Sequence, residues 1–218
     1  MRSLKYLAAG AVLMCSVAAN ASITIGSITP GTNPYSGPTP TYDFDSGAGT
    51  PTFTGGAVVS GSVSGVHAQP YGSAGGYYSV GPGDTQPGAI DLSSFGNISS
   101  LSFLWGSVDS YNVLNFLDAA DNVLASFTGS DIFNPANGNQ TDPNTNPVVV
   151  FLLSGSDVTN FAKLQLTTNP SQNAFEIDNL AINPVPEPAT WGLMLLGFAG
   201  VGFAMRRTRS KVRLPQIA

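Results

Sequence analysis

The chain has 218 residues, eight lysines and arginines against thirteen aspartates and glutamates, 25 glycines, 16 prolines and a single cysteine. All thirteen acids lie between residues 22 and 188, where Lys163 is the only base, so that stretch carries a net charge of −12. Such a field repels phosphate backbones over about a Debye length, roughly 8–10 Å. Nucleic acid is thereby excluded as a partner, while neutral glycans, cations and basic partners stay open.

Residues 1–21, MRSLKYLAAGAVLMCSVAANA, begin with Arg2 and Lys5, continue largely apolar from Tyr6 to Val17 and close on Ala19-Asn20-Ala21. A short apolar run behind positive charge, ended by small residues at Ala19 and Ala21, is the layout that signal peptidase reads. The expectation is a cleaved secretory signal with Ser22 as the first mature residue. Cleavage removes Cys15, so the mature chain offers no disulfide, thiol nucleophile or zinc-thiolate site. Met14 stands before Cys15, where lipidation needs a small residue. What remains up to Pro188 is long enough for one domain with a sizeable core.

From Gly26 to Gly88 the chain is dense in Gly, Ser, Thr and Pro, which disfavours helix, and short strands are expected over 57–63 and 76–80. Leu101, Phe103 and Trp105 share one parity, which marks them for the core. YNVLNFLD and NVLASF, separated by Ala119-Ala120-Asp121, read as a hairpin. Asn134 to Pro147 is a polar loop. VVVFLL (148–153) reads as a strand buried on both faces. In AKLQLTT, Ala162, Leu164, Leu166 and Thr168 take one face, and Lys163, Gln165 and Thr167 the other. In AFEIDNLAIN the apolar parity changes between Ile177 and Leu180, which predicts a bulge near Asp178-Asn179. The 22–184 body is thus expected to be an all-β, antiparallel, jelly-roll-like β-sandwich of about nine to eleven short strands.

The 185–218 tail sets Pro186-Glu187-Pro188 before Trp191, then an apolar run over 189–205, then Arg206, Arg207 and Arg209. Seventeen residues make about 25 Å of helix, at the lower limit for a bilayer core of about 30 Å. A single transmembrane helix is expected there, with its basic end held on the cytoplasmic side and four glycines permitting close approach by another helix. Together these parts resemble a PEP-CTERM sorting signal of the Pro-Glu-Pro-x-x-Trp variant, with Gly192 where that variant usually has Ala. The resemblance implies a Gram-negative bacterium, processing near the motif by the membrane protease exosortase, and delivery to the cell surface or an exopolysaccharide matrix. It covers about the last 30 residues. LSFLWGSVDSYNVLNFLD and NAFEIDNLAI resemble the bodies of such exported proteins, which mostly have no assigned activity.

Catalytic chemistry finds little footing. His67 stands alone in a Gly-rich stretch, and no Gly-x-Ser-x-Gly elbow occurs. Paired carboxylates for glycoside hydrolysis could be drawn from Asp109, Asp118, Asp121, Asp131 and Glu176, but Asp118 and Asp121 sit where a hairpin turn favours Asp. The expected function is therefore a non-enzymatic surface or matrix protein whose processing partners are signal peptidase and exosortase. The alternative is a carbohydrate-binding module for extracellular polysaccharide, with Tyr111, Asp109 and Trp105 as candidate glycan contacts. A structural calcium is the one cofactor the composition suggests, with Asp43 and Asp45 as its ligands.

Overall fold

The computed structural model describes residues 20–45, 51–169, 173–185 and 188–209. The expected signal before Asn20, with Ala19, falls outside them, as do Pro186 and Glu187; tail side chains are described from Trp191 to Arg206. Eleven strands form two antiparallel sheets: β1 (Ser22–Thr29), β2 (Thr52–Thr54), β3 (Ala57–Ser60), β4 (Gly76–Val80), β5 (Gly88–Asp91), β6 (Ile98–Gly106), β7 (Val113–Asp118), β8 (Val123–Thr128), β9 (Val148–Ser154), β10 (Phe161–Thr167) and β11 (Phe175–Pro184). One sheet runs β1-β9-β6-β11-β4-β3 and the other β2-β5-β10-β7-β8. Among these strands the chain changes sheet at every step except β3 to β4 and β7 to β8. The result is a β-sandwich. One-turn helices α1 (Gly129–Ile132) and α2 (Asp157–Asn160) interrupt the strands.

Alternation decides the core. β6 contributes Leu101, Phe103 and Trp105, β9 contributes Val149, Phe151 and Leu153, and β10 and β7 answer with Leu164, Leu166, Leu114 and Phe116. Trp105 stacks on Phe175 at 4.4 Å between ring centres, and Phe116 meets Phe151 at 5.0 Å across the two sheets. The predicted hairpin is β7–β8, and Asp121 in its turn takes a left-handed φ of 66°, a conformation that Asp tolerates better than most residues. The predicted bulge is also present. The register of β11 against β6 shifts between Asp178 and Ala181, Asn179 lies at φ 54°, and Leu180 and Ile182 return to the core. β9 departs from expectation, because Val149, Phe151 and Leu153 are buried but Leu152 on its outer face is 47% exposed. Burial on both faces needs a covering layer, which is incomplete at Leu152.

The register places both ends of the body at one pole. Ser22 pairs with Ser154, Ser100 with Leu152 and Asn183, and Pro184 with Ile98, while the Val185 N–H donates to Asn97 O at 2.7 Å. The connections at this exit pole are short: residues 92–97 between β5 and β6, 119–122 between β7 and β8, and 155–160 between β9 and β10. The opposite pole carries the longest of these, residues 129–147, together with 107–112, 168–174 and 81–87. The 61–75 connection folds back toward this loop pole, where Pro70 lies against Gly106 and Ala68 against Glu176.

The tail forms α3 (Pro188–Arg209). Leu193, Leu195, Leu196, Phe198, Val201 and Phe203 are exposed, so α3 is apolar around its whole circumference. The membrane-crossing span expected over 189–205 goes further than the structure does. Among the described residues no helix is long and apolar enough to cross a membrane.

Candidate functional site

The loop pole holds a buried polar cluster. Phe175 and Ile177 point into the core, which turns Glu176 and Asp178 to the other face of β11. The 61–75 connection covers that face, so Glu176 is only 1% exposed. Its Oε1 accepts from the Ala68 N–H at 2.8 Å and its Oε2 from the Ser107 hydroxyl at 3.2 Å. Burial pushes this carboxyl up to about 7, and Asp109 nearby pushes the same way against those hydrogen bonds. Asp109 is itself raised by burial, although its Oδ2 accepts from the Tyr111 hydroxyl at 2.6 Å. His67 Nδ1 lies 2.6 Å from the Tyr77 hydroxyl on the same cavity's edge.

The cavity between these groups is small. His67, Ser107, Asp109, Gly138, Asn173 and Glu176 surround about 10 Å³, room for a single water. The cavity can hold a water, but it admits no sugar ring. The candidate glycan contacts separate accordingly. Asp109 and Tyr111 are together, yet each occupies the other. Trp105 is fully buried against Phe103 and Phe175, so it is corrected from a candidate platform to a core residue: a stacking face must be open to its ligand.

Asp43 and Asp45, the expected calcium ligands, turn toward the backbone. Asp43 Oδ1 accepts from the Asp45 N–H at 3.1 Å and Asp45 Oδ1 from the Gly76 N–H. Asp178, 1% exposed, is their acidic neighbour; burial pushes its carboxyl up to about 7, and Asp45 and Asp43 add to the rise. Its oxygens accept from Asn179, from the N–H at 2.6 Å and Nδ2 at 3.0 Å. Among the described residues no group of three or more His, Cys, Asp or Glu is placed to hold a metal.

The five-stranded sheet carries a larger opening than this cavity. Its outward residues line up in two rows, Thr52-Asp91-Lys163-Leu117 and Thr54-Ala89-Gln165-Asn115. Ala89 is small, and the taller neighbours leave a groove of about 370 Å³. Lys163 Nζ donates to Asp121 Oδ1 at 2.7 Å, which fastens the body's one cation beside the groove, and Asn115 Nδ2 donates to Gln165 Oε1 at 2.9 Å. The outward parity of Lys163 and Gln165 is readable in AKLQLTT; the groove is not, because β2 and β5 come from distant sequence.

The tail's chemistry is one of address. The strand β11 ends at Pro184 and α3 starts at Pro188, so the Pro-Glu-Pro motif occupies the junction. Trp191 is 52% exposed near the start of α3, and Arg206 is exposed near its end. Residues 184–209 match the PEP-CTERM protein-sorting motif. No curated protein and no solved structure matches the chain. The chain therefore carries the C-terminal sorting motif of exported proteins that exosortase handles.

Proposed function

We propose that the chain is a non-enzymatic cell-surface or matrix protein, an acidic β-sandwich held at the membrane by its tail until exosortase processes it beside Pro186-Glu187-Pro188. The observation that carries this reading is the sorting motif at 184–209, which begins at the end of the last strand and includes a helix with exposed apolar side chains around its circumference. Exposed leucine and phenylalanine around a full helical circumference call for an apolar medium, and the bilayer supplies one before processing. Replacing Pro186-Glu187-Pro188 by alanines is expected to leave a larger, membrane-retained form. Equal mobility of the altered and unaltered proteins on a gel would sink the reading.

A second reading places polysaccharide binding in the groove of the five-stranded sheet. Its volume lies within the range of small-ligand sites, and its Thr, Gln, Asn and Asp side chains match the hydroxyls of a neutral glycan. Pull-down with the cell's own exopolysaccharide tests it. Retention that is lost on Gln165→Ala and Thr54→Ala supports the groove; absence of retention dismisses it.

A further inference from the structure

The sorting motif and the folded body overlap. The match begins at Pro184, which is still a strand residue, and the next residue, Val185, is held by its N–H to Asn97 O. No spacer separates the last hydrogen bond of the sheet from Pro186. A protease that cuts beside Pro-Glu-Pro binds several residues of extended chain on either side of the scissile bond, using their backbone N–H and C=O groups as a sheet edge would. In residues 183–185 two of those groups are already engaged, the Val185 N–H by Asn97 O and the Asn183 C=O by the Ser99 hydroxyl at 3.0 Å, and the Asn183 side chain adds a further tie, Nδ2 donating to Ser100 Oγ at 3.0 Å.

We propose that residues 183–185 are both the end of β11 and part of the exosortase substrate, so that processing requires this strand end to peel from β6 while the exit pole faces the enzyme. The inference rests on the reading of the tail as an exosortase signal.

Three features fit a strand end made to open. Asn183 and Pro184 are exposed, whereas Leu180, Ala181 and Ile182 just before them are buried. The register against β6 shifts between Asn183 and Pro184, which sets the last residues apart from the regular ladder. Peeling stops naturally at Ile182, whose side chain belongs to the core and whose N–H donates to Thr41 Oγ1 at 3.0 Å. The exit pole is also shaped for close approach. Its connections, residues 92–97, 119–122 and 155–160, have six residues or fewer, and the first mature strand leaves from it too, Ser22 pairing with Ser154. Until the signal is removed, both tethers of the precursor therefore draw the same pole to the membrane, and the loop pole points away.

Cysteines at Ser100 and Asn183 test the proposal, because these residues are direct cross-strand partners with touching side chains and the expected mature chain has no other cysteine. In pulse-chase of the full-length protein in cells that contain exosortase, the oxidised Ser100→Cys/Asn183→Cys protein is expected to be processed about tenfold more slowly or worse, because cleavage tracks the open population. Adding reductant to the same cells should restore the rate, and so should a ten-residue Gly-Ser spacer inserted between Val185 and Pro186 in the oxidised protein. A locked protein processed at the normal rate overturns the proposal. So does a loss that neither reductant nor spacer reverses. The Pro186-Glu187-Pro188 alanine protein runs alongside: its normal processing would count against the exosortase reading itself, whatever the locked protein does.

Discussion

The two poles of the sandwich are built on different terms. At the exit pole, turns such as 119–122 are satisfied locally, Asp118 accepting from the N–H groups of Ala120 and Asn122 at 2.8 and 2.9 Å. At the loop pole the polar partners come from far along the chain: Glu176 takes Ala68 and Ser107, and Asn146 Oδ1 takes the N–H groups of Ser107 and Tyr71 at 2.9 and 3.1 Å. A local turn keeps its carboxylate in water, whereas long loops folded over a sheet carry carboxyls out of it. The same acidic composition therefore yields solvated, lowered acids where a turn satisfies them locally, Asp118 at the exit pole and Asp131 in the 129–147 connection, and raised ones, Glu176 and Asp109, where distant segments bury them. Burial decides which, through the cost of ionising a desolvated carboxyl.

This contrast can be broken in order of expected effect. Trp105→Ala removes the ring on which Phe175 stacks and is expected to cost about 3–5 kcal/mol, read as a fall in the denaturation midpoint; a change below about 1 kcal/mol would mean that the loop-pole end of the core is loosely packed. Next in size is pH. The Glu176 and Asp178 carboxyls have ordinary values of 4.5 and 3.8 and stand at about 7 in the folded protein. The folded state thus binds protons that the unfolded state has released, so this contribution is fully present below about 4 and fades as pH rises through 7, by at most about 3–4 kcal/mol per group. The thermal midpoint of the exported protein should be higher at pH 5 than at pH 8, and Glu176→Gln with Asp178→Asn should flatten the difference. Asp131, held low by hydrogen bonds from Thr128, works in the opposite direction at still lower pH.

Smaller effects sharpen the contrast. At Gly106 a Cβ would stand 2.7 Å from Pro70 Cγ and 3.1 Å from Glu176 Cβ, so Gly106→Ala should push the 61–75 connection off the sheet and cost about 1–3 kcal/mol. Its hydrogen-exchange signature is faster exchange at Ala68. At the exit pole, Asp118→Ala removes three hydrogen-bond acceptances from a solvent-facing turn and should give the smallest loss of the set. A larger loss there than at Gly106 would overturn the distinction between the poles.

Much of this was legible in order along the chain. Period-two alternation names the faces of β6 and β10, and with them the core placement of Trp105 and the outward direction of Lys163. The change of apolar parity in AFEIDNLAIN announces the bulge, because an extra residue is what returns Leu180 to the core. The sorting motif is contiguous, so its pattern survives without any knowledge of the fold. Acidic chemistry was less readable. Glu176 and Asp118 look alike in sequence, yet one is covered by a connection 100 residues away and the other stands in its own turn. Leu152 failed for the mirror-image reason, an apolar outer position without a complete cover.

By itself, then, the sequence determined the β character of the body, its acidity and the address at its C-terminus, all of which depend on composition, local periodicity or contiguous motifs. Only the tertiary structure decided that both ends of the body leave from one pole, that the sorting motif begins inside the last strand, and that Asp109 and Glu176 share a water-sized cavity. Those outcomes depend on strand order and register, which set which distant segments meet, and strand order is a property of the whole chain's packing.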